Sequence, residues 1–104
     1  MSKPGRSILN IETMHSGRAC LNLTSHIEWE DFPLYALRLL EPLKGYIINK
    51  SDAVDIRVWD VAIEQEIFRL TFDDFPVMVS LEASTPAGDL LLAKLKIKLG
   101  NLDL

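Results

Sequence analysis

A single cysteine, Cys20, stands among 104 residues. One thiol cannot close an intrachain disulfide, nor can it build a thiolate zinc cluster. Glycine is scarce too: five, scattered along the chain, form no phosphate-cradling loop, dinucleotide fingerprint or nucleophile elbow. No apolar stretch approaches the ~18 uninterrupted residues that a membrane-spanning helix requires. Positive charge is in the minority, with 11 Lys and Arg against 15 Asp and Glu and a net charge of −4. A protein that grips a phosphate backbone needs a basic stripe, so no nucleic-acid partner is expected. Residues 1–6 include Lys3, Pro4, Gly5 and Arg6 but no apolar run of signal-peptide length. They read as a flexible leader to one domain over residues 7–104, with a reducing, cytoplasmic compartment as the expectation.

What is present is an ordinary globular composition, 48% hydrophobic and 25% charged. On the usual scaling a chain of this mass removes roughly 11,000 Å² from water on folding, enough for a true core. The acidity is uneven. From Asp52 to Asp89 nine acids face only Arg57 and Arg69, a local balance of −7, while Lys94, Lys96 and Lys98 cluster near the end. Such a stretch fits a solvated sheet face or a partner surface.

Hydrophobic periodicity divides the chain into elements. Ser7–Thr13 and Ala19–Thr24 alternate apolar with polar, and His15-Ser16-Gly17-Arg18 between them supplies a hairpin turn. Asp31 can cap a helix with Pro33 in its first turn. Its stripe is Phe32, Tyr35, Ala36, Leu39, Leu40 and Leu43. Pro42 predicts a distorted last turn and Gly45 a C-terminal stop. Period two then returns: Tyr46–Ile48 lead through a turn or bulge at Asn49–Asp52 into Val54, Ile56 and Val58. Next come Phe68, Leu70 and Phe72, and then Val77, Val79 and Leu81 beyond the turn Asp73-Asp74-Phe75-Pro76. Ser84 or Thr85 with Pro86 opens a second helix striped by Leu91, Leu92, Leu95 and Leu99, although residues 95–99 also alternate as a strand would. The order β-β-α-β-β-β-α predicts an α+β two-layer sandwich: a mostly antiparallel sheet with two helices on one face.

No catalytic constellation emerges. Cys20 could be served only by His15 or His26, and His26, Glu28, Glu30 and Asp31 match no metal-ligand spacing. No metal and no cofactor is expected. Counting alternation from Val54 puts Trp59 on the polar side of its strand with Arg57, and Met78 falls on the outer side of its own. A tryptophan there needs a cover. Trp59, Met78, Arg57 and Arg69 are therefore the candidate interface of a homodimer or of a complex with another protein. The competing reading is a small-molecule binder or enzyme with a pocket between helix 31–45 and the sheet, lined by Tyr35, Asp55 and Glu64 as well as Arg57.

Three segments carry a resemblance: Trp29-Glu30-Asp31-Phe32-Pro33, then Val54-Asp55-Ile56-Arg57-Val58-Trp59-Asp60 with Glu64, then Leu70-Thr71-Phe72-Asp73-Asp74 leading to Leu81-Glu82. Over residues 20–99 the chain resembles a family of small bacterial proteins of unknown function. That resemblance implies a compact intracellular α+β domain with no assigned activity. The leading expectation is a non-catalytic, homodimeric interaction module.

Overall fold

A computed structural model of the chain describes residues 7–74 and 76–102. The expected leader at residues 1–6 and Phe75 of the expected turn lie outside the described residues. Strands β1 (Ser7–Thr13) and β2 (Ala19–Thr24) precede a 3₁₀ turn (Trp29–Asp31) and helix α1 (Phe32–Leu43). Strands β3 (Tyr46–Asp52), β4 (Ile56–Ile63), β5 (Glu66–Asp74) and β6 (Val77–Ala83) follow, and helix α2 (Pro86–Gly100) closes the order. The strands form one antiparallel sheet in the order β1-β2-β6-β5-β4-β3.

The α+β class and the two helices agree with the periodicity, but the sheet has six strands where the pattern counts five. Residues 46–58 are not one interrupted strand. They hold β3, a turn at 53–55 closed by the Ala53 amide donating to the Ile56 carbonyl at 2.8 Å, and the start of β4. A bulge does occur near the expected place, between Ile47 and Asn49. Residues 95–99 are helical.

Both helices lie on the same face of the sheet, because its apolar residues and theirs make one core. Every residue of the α1 stripe is buried, and so are Leu92, Leu95 and Leu99 of α2. They meet Leu21 and Leu23 of β2, Val61 and Ile63 of β4, Phe68, Leu70 and Phe72 of β5, and Val79 and Leu81 of β6. Trp59 joins them. Its ring centroid is 4.8 Å from that of Phe32, edge to face, and Phe32 in turn lies 5.7 Å from Phe72. Such aromatic pairs add about 0.5–1.5 kcal/mol beyond the area they bury.

The helix ends show how the chain is tied. Thr85 caps α2, its hydroxyl accepting from the Gly88 amide at 2.9 Å and donating to the Glu66 carboxylate at 2.7 Å. Asp89 in the first turn of α2 accepts from the Ala19 amide at 2.7 Å and pairs with Arg18 at 3.3 Å, which pins the helix to the β1–β2 hairpin. At the end of α1 the left-handed residue is Lys44, not Gly45, with φ of 56°. The Gly45 amide reaches back to the Leu40 carbonyl at 2.9 Å, as in a Schellman cap. Glycine is required at 45 for room: a Cβ there would stand 2.9 Å from the Ala62 carbonyl oxygen.

The β4–β5 turn carries backbone strain. Glu64 and Gln65, its two central residues, have φ of 51° and 70°, a geometry that two-residue hairpins fill with Asn-Gly or Asp-Gly. Replacing Gln65 with glycine removes the Cβ conflict, and urea unfolding is expected to show Gln65→Gly more stable than the parent by about 0.5–1 kcal/mol. A lower unfolding midpoint for that variant would contradict the turn assignment.

Candidate functional site

Because neighbouring antiparallel strands place paired residues on one face, the register assigns every candidate to a side of the sheet. Arg57, Trp59, Val61 and Ile63 pair with Phe72, Leu70, Phe68 and Glu66, and so belong to the helix-covered face. This corrects the sequence-based placement of Trp59. It is 2% exposed, and it makes no outer patch with Met78. Arg69 and Met78 do lie on the open face, where Arg69 stands between Asp60 and Glu82 and Met78 stands opposite Asp73.

The expected pocket residues do not converge. Tyr35 is buried within the core, where desolvation pushes its hydroxyl well above its ordinary pKa, and its oxygen has no hydrogen-bond partner. Asp55 sits in the β3–β4 turn and Glu64 in the β4–β5 turn. The eight residues of β4 separate them, roughly 26 Å of extended chain. Glu64 is held instead by Lys94 of α2 at 3.1 Å.

Where the two segments 29–33 and 54–60 meet, the structure builds a cluster that the sequence did not disclose. The Arg57 guanidinium carbon lies 4.3 Å from the Trp29 ring centroid and 6.0 Å from that of Phe32. Trp29 also packs edge-on against Phe72 at 5.9 Å. Asp52, the cross-strand neighbour of Arg57, accepts the Trp59 indole N–H at 3.0 Å through Oδ1. Its other oxygen is 3.6 Å from Arg57 Nη1, a charge contact beyond hydrogen-bond length. Lys50 lies 4.6 Å over the Trp59 ring. Cation–π contacts of this kind contribute about 0.5–2 kcal/mol each.

The open face has no helix over it and meets water by another route. Its central row runs Ser51, Val58, Thr71, Ser80, Asn22 and Asn10 across the six strands. Ser80 donates to the Asn22 side-chain oxygen at 2.8 Å, and the Asn22 amide donates to Glu12. The next row is Asn49, Asp60, Arg69, Glu82, Cys20 and Glu12. The Cys20 thiol is held up by burial, and by Glu82 and Glu12, against the opposing hydrogen bond with Ser80. It is therefore protonated at neutral pH and a poor nucleophile. His15 and His26 are exposed, in the β1–β2 turn and just beyond β2. No group of three or more His, Cys, Asp or Glu side chains converges on a metal position among the described residues.

A third feature lies at the sheet edge. Between the C-terminal half of α1 and β3 runs an open groove of about 470 Å³ lined by Leu37, Leu40, Glu41, Gly45, Tyr46 and Ile47. Leu37 is 58% and Tyr46 64% exposed, with Leu34 and Ile48 also open to solvent. The sequence carried a faint signal of it: Leu34 and Leu37 fall outside the buried stripe of α1, and Ile48 adds a third apolar residue to Tyr46-Ile47 at the edge.

The family model for proteins of unknown function, DUF3630, matches residues 9–97. The chain belongs to that family. No curated protein and no solved structure matches it. The match runs from Leu9 in β1 to Ile97 in α2.

Glu82 supplies a test of the open face. Desolvation raises its carboxyl pKa and Arg69 only partly opposes this. A carboxyl whose folded-state pKa is raised favours the fold while protonated and loses that contribution as pH rises through the raised value. Glu82→Gln is therefore expected to raise the melting temperature at pH 7 and to leave it unchanged near pH 3. An equal shift at both pH values would show that the open face does not desolvate this carboxylate.

Proposed function

We propose that this DUF3630 domain is a non-catalytic interaction module that forms a homodimer through its β3 edge. The observation that carries the proposal is the state of that edge. Among the described residues β3 is the last strand of the sheet and pairs only with β4. Exposed edges invite pairing with a second chain unless charge, proline or a bulge blunts them. Each edge strand carries one register irregularity, between Ser7 and Asn10 in β1 and between Ile47 and Asn49 in β3, but β1 is further bent by Leu9 at φ of 55°, whereas β3 runs in regular register from Asn49 to Asp52. The two charges of β3 do not guard it, because Lys50 is folded over Trp59 and Asp52 is held by the Trp59 indole and Arg57.

Antiparallel pairing of β3 with its copy about a two-fold axis would extend the sheet across both subunits. It would also bring the exposed Leu34, Leu37, Tyr46 and Ile48 of each subunit against the groove of the other. The open face is the poorer choice for self-association, since Glu12, Asp60, Asp73 and Glu82 against Arg69 leave it acidic, and two like-charged faces repel. Cys20 as a free thiol supports a reducing, cytoplasmic setting. The alternative reading, a small-molecule site, draws support from the groove alone, whose volume falls in the ligand range of about 300–1,000 Å³.

Sedimentation equilibrium is expected to give twice the chain mass of 11.8 kDa. Ile48→Lys, which charges the edge without touching the core, is expected to return the monomer with its melting temperature extrapolated to low concentration unchanged. A parent protein that stays monomeric at hundreds of micromolar would exclude the dimer.

A further inference from the structure

Arg57 is a cation almost enclosed by protein, and its donors are poorly used. Its side chain is 13% exposed, and Nε is shut away from both water and every acceptor. A guanidinium carries five N–H donors in a planar fork that matches a carboxylate. The carboxylate beside it, Asp52, cannot close that fork. One of its oxygens is occupied by the Trp59 indole, and the other stops 3.6 Å from Nη1. Trp29 and Phe32 supply flat walls but no acceptor atom. The terminal nitrogens are the part of Arg57 that faces outward, next to Lys50 on the neighbouring rung of the β3–β4 ladder.

We propose that this cluster is a binding site for a small monocarboxylate, held in the plane of the Arg57 guanidinium against the Trp29 wall. Charge decides the ligand class. Arg57 and Lys50 against Asp52 leave one net positive charge, which one carboxylate neutralises. A phosphate dianion would overshoot that balance. The site draws Lys50 and Asp52 from β3, but its occupancy does not require the dimer.

The test is a titration of the full chain with sodium acetate at constant ionic strength, balanced with chloride. It is read by the Arg57 Nε–H resonance and by tryptophan fluorescence. The expected result is a saturable response with a midpoint of ~1–10 mM, weakened at least about ten-fold in Arg57→Lys, which keeps the charge but loses the fork. Asp52→Asn, which retains an oxygen for the Trp59 indole and removes the like charge, is expected to tighten acetate binding about three-fold. Lys50→Ala is expected to weaken it by a similar factor. Should Arg57→Lys fail to fold, those two opposite responses still decide the matter. A response no different from chloride, equal acetate affinity in Asp52→Asn and Lys50→Ala, or inorganic phosphate binding as tightly as acetate would overturn the assignment.

Discussion

Both helices cover the same face of a six-stranded sheet, and the rest of the structure follows from that constraint. Every strand must divide its residues by parity, with one set against α1 and α2 and the other against water. The covered set is apolar through the middle of the sheet, from Leu21 on β2 through Leu81, Leu70 and Trp59 on β6, β5 and β4, with Arg57, Glu66, Lys50 and Asp52 at its margins. The bare set has no second layer, and it meets water with a ladder of hydroxyls, amides and carboxylates. Thr71, Ser80, Asn22 and Cys20 are nevertheless buried, because small side chains in the middle of a wide sheet are shielded by longer neighbours. Their polar atoms are paired with one another along the ladder rather than left to solvent, which is what keeps burial of those groups from being costly.

The same constraint explains why the chemistry of interest collects at the β3–β4 end. Contacts between α2 and the sheet run along β1, β2, β5 and β6, so the β3 margin depends on α1 and on Trp59 for its cover. Trp59 organises that margin: Phe32 packs on its face, Asp52 takes its N–H, and Lys50 lies over its ring. It draws both charges of β3 toward its own ring and indole N–H. Arg57, two residues earlier on the same covered face, is enclosed along with it. Edge, groove and guanidinium cluster are thus three results of ending a one-sided sheet with a tryptophan on its penultimate strand.

Much of this was legible in the residues. The α1 stripe was complete, from Phe32 to Leu43, because a 3.6-residue period over twelve positions has few competing readings. The inward sets of β2, β5 and β6 were equally plain, since only one parity in each is apolar. β4 was not. Ile56 and Val58 on one parity and Val61 and Ile63 on the other are all strand-forming apolar residues, so counting from Val54 selected the wrong set and turned Trp59 outward. The missing strand has a related cause: Asn49-Lys50-Ser51-Asp52 are weak strand formers and read as a turn, yet β3 is an edge whose residues need satisfy only one neighbour. The groove could not be inferred from periodicity, because it is made of residues lying off the stripe of α1 and at the rim of β3.

Pairing of β3 with its own copy is the central claim, and amide hydrogen exchange at β3 tests it most directly. In a lone subunit the outward-facing amides of Tyr46–Asp52 have no acceptor and exchange freely, whereas their inward neighbours are protected by β4. The account predicts that the outward amides become protected as protein concentration rises through the dimerisation range, while protection in β5 and β6 stays constant. Outward β3 amides that exchange freely at every concentration, with the subunits associating by another surface or not at all, would contradict it.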